Sequence, residues 1–327
     1  MQEIRYFDHA ATTATDPIVL KEMIPYLTEN FGNASAMYGI GKKNKEAINL
    51  ARQRVAKCLK CKDKEVYFTS GGTESDNLII KGIAIANRRY GNHIITTQIE
   101  HPAVLRTCEF LEKYMGFYVT YLKVDSEGRI DLNELERAIR RSTILISIMY
   151  ANNEIGTIQE IEKIGRMAKR YGIYFHTDAV QAVGNVAIDV KKMGISALSL
   201  SSHKFYGPKG VGACYIGENV NFIRVQDGGH QEKDKRAGTE NVAGIVGTGK
   251  AIELAEQNLE TYYRKLKSLR DYYFESVEKR IPHIKINGDL KHRLPGNANV
   301  CFQGVNGQYL LEELDKVRNL RIEWICM

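Results

Sequence analysis

Seven short runs rich in β-branched and aromatic residues recur along the first two thirds of the chain, separated by stretches with helical character. The runs are EVYFT (65–69), HIITTQ (93–98), YVTYLKV (118–124), TILISIMY (143–150), YFHTDAV (174–180), ALSLSS (197–202) and VGACYI (211–216). This alternation predicts an α/β fold around a wound, mostly parallel sheet of seven strands. Sheets of this kind carry their chemistry at the carboxyl ends of the strands, so the loops after each run are where functional residues are expected.

The composition excludes several classes of protein. The 327 residues are 43% hydrophobic and 26% charged, which excludes disordered and collagen-like chains. The formal charge is +7, but the 46 Lys and Arg are interspersed with the 39 Asp and Glu, so we expect no nucleic-acid partner. The sequence has no apolar run of membrane-spanning length and no signal-peptide pattern. We therefore expect a cytoplasmic protein without a membrane partner.

The pattern changes near residue 250. A long, charged, amphipathic stretch begins there and is followed by the strand-like segments IKING and NANVCFQGV. This change predicts a large domain over residues 15–250. It also predicts a smaller α/β domain formed by residues 1–14 together with residues 251–327.

An aspartate and a lysine follow two neighbouring runs of the predicted sheet. Asp178 ends the run YFHTDAV, and Lys204 follows the run ALSLSS, 26 residues later. One βαβ step brings such positions together at the same edge of the sheet. Each residue alone would also suit a simpler role, Asp178 as a strand-end cap and Lys204 as a solvated loop lysine.

A third feature indicates that Asp178 and Lys204 bind the same ligand. In YFTSGGTESDN (67–77) a predicted strand runs into Gly71, Gly72 and Thr73 and then into a predicted helix. Backbone N–H groups at such a helix start can hold a phosphate, or Thr73 can simply cap the helix. A lysine, an aspartate and a phosphate cradle together are what pyridoxal 5'-phosphate requires, so we expect this cofactor.

Two further side chains are expected at the same edge. His101 follows the run HIITTQ and precedes Pro102, so its ring either faces the cofactor or only starts a helix. Asn153 follows TILISIMY and either hydrogen-bonds a ring substituent or is a turn residue.

Other cofactors find less support in the sequence. GIVGTGKA (244–251) matches part of a nucleotide-binding P-loop, but Ala251 replaces the Ser or Thr that binds magnesium. Cys58 and Cys61 form one CxxC without a second pair, and the histidines show no HExxH grouping. We expect no metal site.

At this point the sequence is similar to a known family over nearly its whole length. The matching strings are YFDHAATTATDP, FGNASAMYG, FTSGGTESDN, IEHPAVL, NNEIGTIQEI, FHTDAVQAVG, SSHKFYGPKGVGA, GGHQEKDKRAGTEN and NANVCFQGVNGQ. With them the chain resembles the cysteine desulfurases of the NifS/IscS type, which are fold-type I pyridoxal-phosphate enzymes of the class V aminotransferase family. The resemblance implies conversion of L-cysteine to L-alanine, with the sulfur passed to a protein persulfide for iron–sulfur cluster assembly or tRNA thiolation.

The resemblance also implies roles for individual residues. Lys204 would carry the cofactor, Asp178 would pair with the pyridine nitrogen, and His101 would stack on the ring and exchange protons. Gln181 and Asn153 would meet the phenolic oxygen of the ring. The phosphate would be held by Gly72, Thr73, Ser201 and His203, and by Thr239 of a neighbouring subunit, which implies a homodimer. Asn33 would help to hold the substrate carboxylate.

One part of the sequence departs from the family pattern. Family members carry a Ser/Gly-rich loop with a nucleophilic cysteine and, beyond it, an arginine that binds the substrate carboxylate. Here the chain reads VRNLRIEWICM, so we expect a C-terminally truncated member in which Cys326 falls near the nucleophile position. Two alternatives stay open. One is a cofactor-binding homologue that lacks the nucleophilic loop, and the other is a lyase or transaminase acting on another amino acid.

Overall fold

The computed structural model of the chain describes residues 5–316 and 320–321. The strands in chain order are β1 (Arg5–Tyr6), β2 (Val66–Thr69), β3 (His93–Thr97), β4 (Tyr118–Leu122), β5 (Thr143–Ser147), β6 (Tyr174–Asp178), β7 (Ala197–Ser201), β8 (Gly212–Ile216), β9 (Ile284–Ile286), β10 (Val300–Phe302) and β11 (Leu320–Arg321). The helices are α1 (Pro17–Met23), α2 (Pro25–Thr28), α3 (Gly39–Leu59), α4 (Gly72–Asn87), α5 (Pro102–Met115), α6 (Leu132–Ala138), α7 (Ile161–Arg170), α8 (Val242–Arg280) and α9 (Gly307–Lys316).

The central sheet contains all seven predicted strands in the order β2-β8-β7-β6-β5-β3-β4. Strand β8 runs antiparallel to both of its neighbours, and the pairs from β7 across to β4 are parallel. The prediction of a mostly parallel seven-stranded sheet is therefore confirmed. The carboxyl ends of β3, β5, β6 and β7 consequently lie at one edge.

Helices cover both faces of this sheet. Adjacent strand residues belong to different apolar clusters: Leu145 packs with the buried residues of α4 and α5, whereas Ile146 packs with those of α3, α7 and α8. Strand β5 is buried along its whole length, as its apolar composition predicts. Of the helices in the described part of the chain, none is both long and apolar enough to span a bilayer.

A small antiparallel pair, β9 with β10, packs near the carboxyl end of α8. Phe274 and Val277 of α8 form a separate apolar cluster with Val300 of β10. The predicted domain boundary at residue 250 lies inside α8, which continues as one helix from Val242 to Arg280. The segment 244–251 is likewise helical, so its P-loop-like spacing is not a phosphate loop. The division into two domains stays a prediction.

A buried ion pair joins α3 to the segment before α8. The Arg52 guanidinium donates two hydrogen bonds to the Glu232 carboxylate, at 2.7 and 2.8 Å. The same carboxylate accepts the backbone N–H of Phe68 in β2 at 2.8 Å. Glu232, Lys233 and Asp234 all have positive φ angles, a conformation that is costly for residues other than glycine. The ion pair therefore anchors a strained segment onto the sheet.

Removing the Glu232 charge should destabilise the fold strongly. Both partners are buried, so Glu232→Gln leaves the Arg52 charge without its counter-ion, and we expect a loss of about 3–5 kcal/mol in the free energy of unfolding. Urea unfolding of the variant measures this loss. The exposed pair Arg106–Glu109 provides a matched control, because Glu109→Gln should cost no more than about 1 kcal/mol. Equal losses in the two variants would contradict the anchoring role of Glu232.

Candidate active site

The loops after the parallel strands enclose a cavity of about 550 Å³ at the carboxyl edge of the sheet. Ten of the residues singled out in the sequence line it: Gly71, Gly72, Thr73, His101, Asn153, Asp178, Gln181, Ser201, His203 and Lys204. They come from strand ends, from the segments that follow β2, β3, β5, β6 and β7, and from the first turn of α4. The parallel order of these strands explains why residues so far apart in the chain meet here.

Lys204 lies in a short turn after β7, and its amine is held by the N-terminal segment. The Nζ atom donates to the backbone carbonyls of Ala10 and Ala11, the latter at 2.8 Å. Gln181 Nε2 donates to the same Ala10 carbonyl at 2.9 Å. The N-terminal segment thus forms one wall of the cavity and positions the lysine.

Asp178 is the last residue of β6 and is almost fully buried. Burial raises the pKa of its carboxyl, whereas the Val180 N–H, which donates to Oδ1 at 2.9 Å, favours the charged form. His101 and Lys204 also lower the pKa of Asp178 by Coulombic attraction. The cavity therefore places a carboxylate and an amine within electrostatic reach of each other.

Glycines shape the opposite wall, where α4 begins. Gly71 has a φ of +150°, and a Cβ atom on Gly72 would meet Val180 Cγ2 at only 2.6 Å. No side chain caps the first turn of α4, so its backbone N–H groups are available to an anion. Behind this turn the Glu74 carboxylate binds Arg236 through two hydrogen bonds, at 2.7 and 3.2 Å. Space, free N–H groups and the helix dipole together make an anion cradle.

His101 has both of the roles that the sequence left open, because it caps a helix and also faces the cavity. Its Nδ1 accepts the Ala103 N–H at 3.1 Å and so caps α5, and its side chain also lines the cavity. Because Nδ1 is an acceptor, the neutral ring carries its hydrogen on Nε2. Capping thus fixes both the tautomer and the orientation of the ring.

The cavity also involves residues to which sequence reasoning assigned no role. Ala10, Ala11, Thr12 and Asp76 line it, and the buried Glu100 lies directly before His101. The sequence could have predicted Asp76 near the cavity, because this residue lies one helical turn beyond Thr73 on the predicted helix of the phosphate cradle. The evidence for Glu100 was weaker, because it is only a carboxylate that follows a predicted strand. Backbone carbonyls such as that of Ala10 leave no signal in side-chain patterns.

Comparison with known proteins now identifies the family. The class-V aminotransferase family matches residues 5–323. A cysteine desulfurase IscS of Clostridium botulinum (strain Hall) is 56% identical over 312 residues, which covers 95% of this chain and 78% of the relative. A cysteine desulfurase IscS of Methanosarcina thermophila is 57% identical over 306 residues, covering 94% of this chain and 75% of that one. The chain belongs to the cysteine desulfurases of the class-V aminotransferase family.

Solved structures agree with this membership and with the fold. A NifS-like protein superposes with a TM-score of 0.94 at 38% identity, over 98% of this chain and 87% of the other. A structure described as SspA in complex with cysteine gives a TM-score of 0.84 at 38% identity, over 98% and 88% of the two chains. The expected fold-type I architecture is therefore confirmed.

Three predicted residues lie away from the cavity or beyond the described residues. Asn33 is exposed, and its Oδ1 accepts the Ser35 N–H at 2.8 Å. Thr239 is exposed on the segment before α8 and does not line the cavity of its own chain. Cys326 lies outside the residues that the structure describes. The roles proposed for these three residues stay predictions.

The residues present in the cavity fit pyridoxal phosphate. The first turn of α4, which begins at Gly72, has N–H groups without a side-chain cap that can bind a phosphate, and a Cβ atom on Gly72 would fill the cradle. Lys204 supplies an amine, and Asp178 supplies a buried carboxylate at the end of the neighbouring strand. Donor, acceptor and anion sites all face one space, as this cofactor requires.

Glu100 should make folding stability depend on pH. Burial raises the pKa of its carboxyl from 4.5 to about 8. Between these values the folded protein retains a proton that the unfolded chain releases, so rising pH lowers stability by about 1.4 kcal/mol per pH unit from this group. Glu100→Gln cannot titrate, and its stability advantage over the wild type should therefore grow with pH until about pH 8.

Urea unfolding of both proteins at several pH values between 5 and 8 measures this difference. The exposed Glu109→Gln variant is the control, for which we expect a constant difference from the wild type. A constant offset for Glu100→Gln as well would show that Glu100 is charged in the folded protein throughout this range.

Proposed function

We propose that this protein is a pyridoxal-phosphate-dependent cysteine desulfurase that converts L-cysteine to L-alanine and passes the sulfur to a protein cysteine. The observation that carries the proposal is the meeting of Lys204, Asp178 and the Gly71–Gly72 cradle in one cavity. Relatives more than half identical to this chain are named cysteine desulfurases, which supports this substrate over other amino acids.

The cavity residues divide the binding of the cofactor between them. The α4 N–H groups, with Thr73, Ser201 and His203, would hold the phosphate, and the Asp178 carboxylate would pair with the pyridine nitrogen; all of these residues line the cavity. Gln181 and Asn153 would hydrogen-bond the phenolic oxygen. When bound, pyridoxal phosphate supplies an electron sink that stabilises negative charge next to the substrate α-carbon.

Lys204 and His101 are the side chains that we propose for proton transfer. The Lys204 amine removes the α-proton of the substrate, and the Ala10 and Ala11 carbonyls keep this amine at the cavity wall. His101 would stack on the ring, and because the Ala103 N–H occupies Nδ1, its Nε2–H would serve as a hydrogen-bond donor. His101 would exchange protons only when Nδ1 releases the Ala103 N–H and is itself protonated, so proton exchange would require the α5 cap to open.

Sulfur transfer needs a protein thiolate. The thiolate attacks the substrate sulfur, an S–S bond forms as the C–S bond breaks, and alanine remains as the second product. Burial raises the pKa of Cys58 and Cys61 to about 12 and raises the pKa of Cys108 and Cys214 as well, so these thiols are poor nucleophiles. Cys301 lies within strand β10, whereas Cys326 falls near the nucleophile position of the family, so we assign the sulfur-accepting role to Cys326.

The assembly is proposed as a homodimer in the cytoplasm. Thr239 is exposed and outside its own cavity, which suits contact with the phosphate site of a second subunit. Asn33 is also exposed and is proposed to help bind the substrate carboxylate. The persulfide would be delivered to an acceptor protein of iron–sulfur cluster assembly or of tRNA thiolation.

Replacing Lys204 should abolish both covalent cofactor attachment and turnover. Borohydride reduction of the loaded wild type should fix the cofactor to the Lys204 peptide, and Lys204→Ala should lose this attachment. The release of alanine from L-cysteine should fall by about 10²–10⁴-fold because the general base is lost. Lys209, a second lysine lining the cavity, gives the matched control, since Lys209→Ala should keep the covalent attachment at Lys204. Attachment at another lysine would contradict the proposal.

Cys326→Ser should separate cofactor chemistry from sulfur transfer. With L-cysteine and a reductant, we expect the variant to bind substrate and shift the cofactor spectrum but to release neither sulfide nor alanine at the wild-type rate. Cys301→Ser, which alters a half-buried thiol, should behave as the wild type. Undiminished turnover in Cys326→Ser would favour a lyase or transaminase, and no turnover in the wild type would favour a cofactor-binding homologue.

A further inference from the structure

A row of polar side chains crosses the apolar core beneath the cavity. Ser147 of β5 is in register with His176 of β6, and its hydroxyl hydrogen-bonds the His176 Nδ1 at 2.8 Å. On the other side, His176 Nε2 hydrogen-bonds the Ser199 hydroxyl of β7 at 3.1 Å. All three residues are completely buried. Burying this many polar groups is costly unless each is hydrogen-bonded, which the row achieves for both ring nitrogens.

Asp76 of α4 lies against this row and also lines the cavity. Its Oδ1 is 3.6 Å from His176 Nε2 and is buried without a hydrogen-bond donor. A charged carboxylate oxygen in this position would lack any compensation for its lost hydration. With a proton on Asp76, the hydrogen bonds can instead run in one direction, from Asp76 to Ser199, from Ser199 to His176 Nε2, and from Nδ1–H to Ser147.

The groups around Asp76 also disfavour its charge. Those that face it are His176 and Asp178 on β6, Ser199 on β7, Glu100 after β3, Cys108 on α5 and Cys214 on β8. Burial lowers the pKa of His176 to about 3, so this ring is neutral at neutral pH. Burial, followed by the charge of Asp178, raises the pKa of Asp76. A hydrogen bond donated by Ser199 would favour the charged form and oppose this rise, but the single Ser199 hydroxyl hydrogen would then no longer be donated to His176 Nε2.

Asp178 differs from Asp76 in its partners, although both are buried. Its Oδ1 accepts the Val180 N–H, and His101 and Lys204 attract its negative charge from the cavity side. Ionising two neighbouring buried carboxyls costs much free energy because their charges repel each other, so one of them keeps a proton. The groups around each carboxyl determine which one this is. Here the partners favour the charge on Asp178 and the proton on Asp76.

We propose that Asp76 is a positioning residue, held as a neutral acid because its buried Oδ1 lies against the Ser147–His176–Ser199 row without a hydrogen-bond donor, which leaves Asp178 as the ionised carboxylate of the pair. The consequence for catalysis rests on the proposed function, in which Asp178 faces the ring nitrogen. A proton on Asp178 would remove the negative charge that keeps this nitrogen protonated and would weaken the electron sink.

Infrared spectroscopy can locate the proton without any cofactor. The protein is produced by cell-free synthesis with aspartate isotopically labelled at the side-chain carboxyl, so that glutamates such as Glu100 do not contribute to the shifted bands. At neutral pH we expect the labelled wild type to show the C=O band of a protonated aspartate. Asp76→Asn should lose this band, whereas the matched variant Asp178→Asn should keep it and lose carboxylate intensity.

Two results would overturn the proposal. One is a labelled wild type with no protonated-aspartate band, which needs no variant to fold. The other is loss of the band in Asp178→Asn together with its retention in Asp76→Asn. If the protein takes up no pyridoxal phosphate, the proposed function fails, but the infrared result still decides where the proton is.

A second measurement separates positioning from general packing. In the cofactor-loaded protein, Asp76→Asn keeps a neutral side chain that can hydrogen-bond, so the pH dependence of its visible absorption should match that of the wild type. Asp76→Ala removes the partner of Ser199 and should shift this pH profile. If Asn shifts the profile as much as Ala does, Asp76 acts as a charge and the proposal is wrong.

Discussion

The site depends on the electrostatic pairing of two groups that emerge from adjacent parallel strands. Asp178 ends β6, and Lys204 follows β7, whose Ser199 is in register with Asp178. A carboxylate this deeply buried is stable only where positive charge and a backbone N–H compensate for its lost hydration. The cavity walls, the anion cradle and the capped His101 can act on one ligand because they surround this pair.

The N-terminal segment completes the site from outside the sheet. The Thr13 N–H donates to the His203 carbonyl at 2.9 Å, and the Asp16 N–H donates to the Tyr206 carbonyl at 3.0 Å. These backbone bonds attach the segment to both sides of the Lys204 turn. The carbonyls of Ala10 and Ala11 are therefore presented to the amine by main-chain geometry, which substitutions of side chains disturb little.

The fold and most of the site could be predicted because both depend on local patterns. The apolar run TILISIMY is enough to identify strand β5. Because β6 and β7 are parallel, Asp178 and Lys204 follow their carboxyl ends at the same edge of the sheet. The predicted domain boundary near residue 250 falls within the continuous 39-residue helix α8, and the division into two domains stays a prediction. The role of Asp76 depends on how α4 packs on β6 and β7, and sequence spacing does not encode that contact.

Buried acids beneath the cavity show how the core accommodates functional charge. Strand β6 alternates its faces, so His176 and Asp178 share one face while Phe175 packs into the apolar cluster on the other. The polar row consequently stays within one layer, between the sheet and α4. Because large apolar clusters stabilise both layers, the fold can tolerate Asp76 and Glu100 in a setting that raises their pKa values. The position of one proton in this layer then determines the charge that the cavity presents to its ligand.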